Sequence, residues 1–320
     1  MSGRNGTAVL EAEGQTVTSP MSNRELKPAF AGLARRGYNP RSPERARHLV
    51  LGLRKSGKSS LACSHPGCIV LDWEGGTDAI VNQKAFTVDI KPRSEELASG
   101  RPLGGMPSLD PWERFQHIKK ALLSDAKSGS PNFQTVAFDS VDFMLEHMMA
   151  RFCAGHNAAG KVVANIADYK DGRAGWFEVR APFIREIQDF DDAGYGLILN
   201  SHLAERIVEE RTVTQPRLSN SFREALLMMV DQILHIEYRW ESLPGKRIIT
   251  VNGKEKEIAD PQNRQEISSV VLRTVAKPTD RERGCRVEIE DGLVLPSGQM
   301  WETYAERYRK EVEKVRTLHS

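Results

Sequence analysis

The sequence predicts an α/β protein with a mostly parallel β-sheet flanked by helices and an antiparallel C-terminal extension. Three observations predict it. Short apolar runs ending in polar or acidic residues alternate with amphipathic helical stretches through about residue 235, the pattern of buried parallel strands joined by helical crossovers. One such run, His48-Leu49-Val50-Leu51, leads into Gly52-Leu53-Arg54-Lys55-Ser56-Gly57-Lys58-Ser59, which fits G-x-x-x-x-G-K-[ST] in the strand–loop–helix setting that motif requires. Beyond that the pattern changes to hairpins, with Asn252-Gly253 as a two-residue turn.

The bulk numbers set the frame. A chain of 320 residues accommodates one large domain or two ordinary ones. Hydrophobic content of 39% and charged content of 28% suit a globular core. Forty-five basic and 43 acidic residues leave a net charge of +2. There is no global basic excess, so any nucleic-acid contact has to rest on local loops. Four irregularly spaced cysteines point to a reducing compartment. No apolar run approaches the ~18 residues of a membrane span, and no signal-peptide core opens the chain. A cytoplasmic location is expected, in the host cell if the protein is phage-encoded.

Taken in order, residues 1–44 read as a flexible arm rich in Gly, Ser, Thr, Pro and Arg, interrupted by the apolar patch Phe30–Ala34. The main domain is expected over 45–298. After the glycine-rich loop a helix start spans Lys58 to Cys63, and Cys68–Leu71 reads as a buried strand ending in Asp72-Trp73-Glu74. Residues 91–109 read as a surface insertion. Asp110-Pro111-Trp112-Glu113 is a helix start, with Asp as cap, Pro first and Glu third. Phe133–Asp139 is the next strand, and Ser140–Phe152 a Met-rich helix whose methionines are expected in the core. A loop over 153–175 precedes a helix with Trp176, Val179, Phe183, Ile187 and Phe190 on one face. Tyr195–Asn200 is a strand followed by Ser201-His202, a polar loop over 203–221 follows, and Val230–Tyr238 is again strand. Further strands are expected at Arg247–Val251, Glu266–Ala276 and Arg286–Glu290. Trp301, Tyr304, Tyr308, Val312 and Val315 mark an amphipathic helix over 299–320.

The glycine-rich loop predicts where phosphate binds. Glycines let the backbone turn tightly and aim N–H groups inward, and the helix that follows adds a positive end. Gly52, Arg54, Lys55, Ser56, Gly57, Lys58, Ser59 and Ser60 are the expected nucleotide cradle. Lys58 would reach the terminal phosphates, and Ser59 with Asp139 would hold Mg²⁺. Cys63-Ser64-His65-Pro66-Gly67-Cys68 invites a zinc reading, but its spacing is wrong and no second Cys/His pair follows.

P-loop proteins include kinases, GTPases, helicases, transporters and recombinases, so the motif alone does not choose among them. The strand that ends in Asp72-Trp73-Glu74-Gly75-Gly76 discriminates further, because Asp139 is followed by Ser140 and not by an acid. Leu49–Asp78, Thr135–Ser140 and Gly194–His202 together resemble the phage-type RecA-like core ATPases, some of them of the single-strand-annealing kind. The resemblance covers roughly residues 46–276. It implies a RecA-like P-loop NTPase core that binds and hydrolyses ATP with Mg²⁺. Glu74 would activate the attacking water, and His202 would sense the terminal phosphate where bacterial RecA usually carries Gln. Lys277, Arg281 and Arg283 are candidates to complete a neighbouring subunit's site in a ring or filament.

Single-stranded DNA is the implied partner, through Lys161, Lys170 and Arg173 in the first loop and Arg206, Arg211 and Arg217 in the second. Tyr169 and Trp176 stand near the first for stacking. Glu205, Glu209 and Glu210 offset the second. A separate single-strand DNA-binding protein is a further possible partner. The roles implied are recombination, annealing or replication of phage DNA. Two alternatives stay open: an ATP-driven DNA motor, as in a helicase or packaging machine, and a small-molecule P-loop kinase.

Overall fold

The computed structural model describes residues 40–158, 163–170, 173–208, 211–251, 254–273 and 287–318. Nine strands are found among them: β1 (Arg47–Gly52), β2 (Cys68–Asp72), β3 (Phe86–Asp89), β4 (Thr135–Asp139), β5 (Gly196–Val208), β6 (Arg211–Pro216), β7 (Gln232–Val251), β8 (Lys254–Arg273) and β9 (Leu293–Leu295). The helices are α1 (Lys58–Cys63), α2 (Ser94–Ser99), α3 (Pro111–Ala126), α4 (Val141–Ala158), α5 (Ala174–Asp192), α6 (Asn220–Met229) and α7 (Met300–Leu318).

The sheet runs β3-β2-β4-β5-β1-β7-β8-β9, with β6 paired to β5. The six strands from β3 to β7 are mutually parallel, and β8 and β9 add antiparallel. The expectation of a parallel sheet with an antiparallel extension holds. β1, β2 and β4 are buried along almost their whole length, as strands covered by helices on both faces must be. The expected face of α5 supplies Val179, Phe183, Ile187 and Phe190 to the core, and Met144 and Met148 of α4 are buried there too.

Several expected boundaries are corrected. α4 runs on to Ala158, so the loop expected at 153–175 is shorter. The expected loop 203–221 is mainly a hairpin: β5 continues through His202 to Val208 and pairs with β6. β7 and β8 pair from His235↔Arg273 to Val251↔Lys254 across Pro244-Gly245, where a bulge absorbs the register shift. Polar, Gly- and Pro-bearing residues read locally as loop, but cross-strand pairing supplies their backbone bonds. Residues 287–290 form no strand, and β9 at 293–295 is the edge instead. The insertion at 91–109 carries α2, whose Glu96 is buried against Arg114, with Arg114 Nη1 donating to Glu96 at 3.1 Å. An ion pair buried so completely ties the insertion to α3.

α7 packs beside α1, with Met300 against the glycine-rich loop and its aromatic stripe over His48 and His65. Trp301, Tyr304, Tyr308 and Val312 are buried, as the pattern predicts. Trp301 stacks on His65 at 4.1 Å, and His48 meets Trp301 and Tyr304 edge-on at 5.6 and 5.4 Å. Both histidines are held neutral. His65 Nδ1 accepts from Gly67 N–H at 3.1 Å while Nε2 donates to Thr135 Oγ1 at 2.9 Å. His48 Nδ1 donates to the Leu197 carbonyl at 3.2 Å. Burial pushes His48 down to about 4 and His65 down to about 3.

The sign of the pH effect follows. Unfolded histidines take up protons near 6.5 while the folded ones do not, so the unfolded state binds more protons between those values. Stability is fully present above about 6.5 and falls as pH drops toward 4. Each histidine contributes about 2 kcal/mol to the loss between pH 7 and 5. Urea unfolding at the two pH values should show that loss, and His48→Phe should reduce it.

Candidate nucleotide-binding site

The parallel register decides what gathers at the strand ends. Asp72 is level with Asp139, Asp139 with Asn200, and Asn200 with Val50. Gly52 is level with His202. Side chains two residues apart on a strand share a face. Glu74 stands in the turn two residues past Asp72, and His202 two residues past Asn200 in β5, so both lie beyond that row. β4 ends at Asp139 and the chain turns into α4. This leaves the gap between β2 and β5 open at that level, and Glu74 Oε1 comes within 3.6 Å of His202 Nδ1 across it.

The loop after β1 is built tightly. A Cβ on Gly52 would lie 2.2 Å from Ser56 Oγ and 2.6 Å from the Ile236 carbonyl. Gly57 has φ 103° and packs against Val270 and Met300. Only glycine combines that backbone with that space. Lys58 is buried and folds back over the loop, donating to the Gly52 and Leu53 carbonyls at 3.0 and 2.9 Å. Ser56 is buried, whereas Arg54 and Lys55 are exposed and Ser59 and Ser60 half-buried.

Asp72 is settled as a structural group. Its carboxylate accepts from the backbone of Glu74, Gly75 and Thr77 and from the Thr77 hydroxyl, at 2.9, 2.6, 3.0 and 2.7 Å. It therefore fixes the turn that carries Glu74. Asp139 is buried and accepts from Asn200 Nδ2 at 2.9 Å. Burial pushes its carboxyl up, the bonds from Ser59 and Asn200 resist, and Glu74 and Asp72 add repulsion. Burial pushes the Lys58 ammonium down against the pull of Asp139, Glu74 and Asp142. The Glu74 Oε1 atom is buried without a hydrogen-bond partner among the described residues.

The donor set fits a triphosphate with Mg²⁺. Ser59 and Asp139 supply hard oxygen ligands of the kind Mg²⁺ takes, and the upward push on Asp139 is what a nearby cation would relieve. Mg²⁺ held there would neutralise charge on phosphate oxygens. Lys58, already inside the loop, has only to exchange carbonyls for phosphate oxygens.

A family model described as an AAA domain matches residues 44–260. The chain belongs to this AAA-domain family of P-loop ATPases. No curated protein matched the sequence. Nucleotide binding and hydrolysis therefore have the support of both the family and the geometry. The AAA-domain match ends within β8, yet Val270 and Met300 beyond it touch Gly57. No described helix of this ATPase is long and apolar enough to cross a membrane.

The other candidate residues separate. Lys170 pairs with Glu178 at 3.1 Å and lies over the Tyr169 ring at 4.7 Å. Tyr169 is buried against His156 and Phe152, so its faces are not open for stacking. Trp176 packs against Phe222, and its exposed neighbour is Phe177. Arg173 is exposed just before α5. Arg217 pairs with Glu146 at 2.8 Å. Arg206 and Arg211 sit on the β5–β6 hairpin opposite Val213 and Val208. Lys161, Lys277, Arg281 and Arg283 lie outside the described residues. Sequence reasoning missed Asp142, Asn200 and Ser201. Asn200 was signalled only by standing two residues before His202. Nothing local marks Asp142, which reads as an ordinary first-turn acid.

Gly52→Ala should abolish the cradle without unfolding the sheet. We expect ATP turnover to fall on the order of 100-fold with a near-native circular dichroism spectrum, measured beside Lys58→Ala.

Proposed function

We propose that this ATPase is of the RecA type: Glu74 activates the attacking water, and His202 passes the state of the terminal phosphate to the β5–β6 hairpin. The observation that carries it is the approach of Glu74 and His202 to 3.6 Å at the mouth of the glycine-rich loop. A carboxylate placed there needs no covalent chemistry, because positioning and charge neutralisation supply most of the rate in phosphoryl transfer. Lys58 neutralises phosphate charge, and Ser59 and Asp139 hold the metal. His202 stands in β5 just where that strand leaves the main sheet for the hairpin, so a shift at its ring moves the hairpin root.

We further propose that the hairpin and the segment before α5 contact single-stranded DNA, with Arg173, Arg206, Arg211 and Arg217 facing the backbone. Subunits would assemble with Lys277, Arg281 or Arg283 reaching a neighbour's phosphate. Such an assembly suits recombination, annealing or replication of phage DNA. Three arginines over 203–221 are offset by Glu205, Glu209 and Glu210, so affinity should be modest in physiological salt.

Glu74→Gln tests the catalytic part. ATP binding should persist while hydrolysis drops on the order of 100-fold or more, and single-stranded DNA should stimulate the native enzyme. Native-like hydrolysis by that variant would remove Glu74 from the chemistry. Absence of any DNA effect on the native rate would remove the DNA arm alone.

A further inference from the structure

Asp142 is a buried acid that no step above uses. It stands in the first turn of α4, with its carboxylate aimed at β5. Oδ1 accepts from Ser201 Oγ at 2.9 Å, and Oδ2 accepts from His202 N–H at 2.6 Å and from His202 Nδ1 at 3.1 Å. A carboxylate is acceptor-only, so the ring nitrogen facing it carries the proton. Glu74 faces the same nitrogen from the end of β2 at 3.6 Å, beyond hydrogen-bond length. The Phe143 ring is the other neighbour, edge-on at 6.3 Å. One turn along α4, Glu146 holds Arg217, whose N–H donates to the His202 carbonyl at 2.7 Å. Two acids four residues apart on one helix face thus grip both strands of the hairpin at its root.

We propose that Asp142 is the positioning residue of the site: it fixes His202 as the Nδ1–H tautomer and leaves Nε2 as the ring's remaining hydrogen-bonding atom. This rests on the reading that His202 meets the terminal phosphate, but the tautomer itself does not depend on that reading. The backbone N–H of His202 is an obligatory donor to Oδ2, so an amide at 142 has to keep its oxygen there. Asp142→Asn therefore retains the tautomer, whereas Asp142→Ala releases it.

The test is ¹⁵N NMR of histidine-labelled full-length protein, with His202 assigned by its loss in His202→Gln. The native protein should show the proton on Nδ1 of neutral His202, and a proton on Nε2 would overturn the proposal. Asp142→Asn should keep the Nδ1 proton and stay within about threefold of native turnover. Asp142→Ala should shift the proton to Nε2 and lower kcat on the order of tenfold or more, with KM for ATP within about twofold. An Nδ1 proton retained in Asp142→Ala would assign it to Glu74 and overturn the proposal. If Asp142→Ala does not fold, the native and Asp142→Asn spectra decide. Lack of ATP turnover by the native protein would overturn the ATPase reading and leave the tautomer result standing.

Discussion

The parallel ladder joining β2, β4, β5 and β1 is the constraint on which the site depends. Its register sets Asp72, Asp139, Asn200 and Val50 in one row, and Gly52 level with His202. Strands lie about 4.8 Å apart, so groups on separate strands are held at fixed spacings, close enough for Asn200 to bond Asp139. A slip of one residue in any pair would turn the affected side chains to the opposite face. Apolar burial of β1, β2 and β4 prevents that slip, because the same slip would expose their core residues.

Charge is concentrated where the ladder ends, and each group is restrained in a different way. Asp72 is saturated by the turn it organises. Asp139 shares its carboxylate with Asn200. Asp142 accepts from Ser201 and His202, and Lys58 donates to two loop carbonyls. Glu74 has a buried oxygen lacking a partner among the described residues, as do Ser56, Ser140 and Asn200. Buried polar groups are normally paired. In the proposed reading, an unpaired acid beside the phosphate cradle would be free to receive the attacking water. Preorganisation of this kind is what lowers the reorganisation needed during the reaction.

The support for the loop comes from further along the chain than the AAA-domain match. Val270 and Met300 lie against Gly57, and Trp301 N–H donates to Ser64 Oγ at 2.9 Å at the foot of α1. The first turn of α7 therefore braces the P-loop helix from behind, while the rest of α7 packs its aromatic stripe over His48 and His65. The β7–β8 ribbon and the β5–β6 hairpin extend from the strand ends on the nucleotide side and flank β1. The site and these ribbons share the same strands.

What the sequence determined by itself is what depends on near neighbours. Gly52 and Gly57 are set by local backbone demands. The apolar runs of β1, β2 and β4, the α5 face and the α7 stripe follow from burial periodicity, and Asp110 caps α3 by accepting from Glu113 N–H at 2.9 Å. The candidates Lys58, Glu74, Asp139 and His202 were legible because they end apolar strands or sit in a motif. Only the tertiary structure decided which strands are adjacent, and so that Glu74 reaches His202 across the end of β4. It also decided that the polar stretches 203–208, 211–216, 239–246 and 254–265 are strands, that Tyr169 is buried, and that Asp142 holds the histidine. The reason is physical. Those outcomes are fixed by hydrogen bonds and packing between residues far apart in the chain, such as the 60-residue step from Asp142 to His202, and no local pattern encodes them.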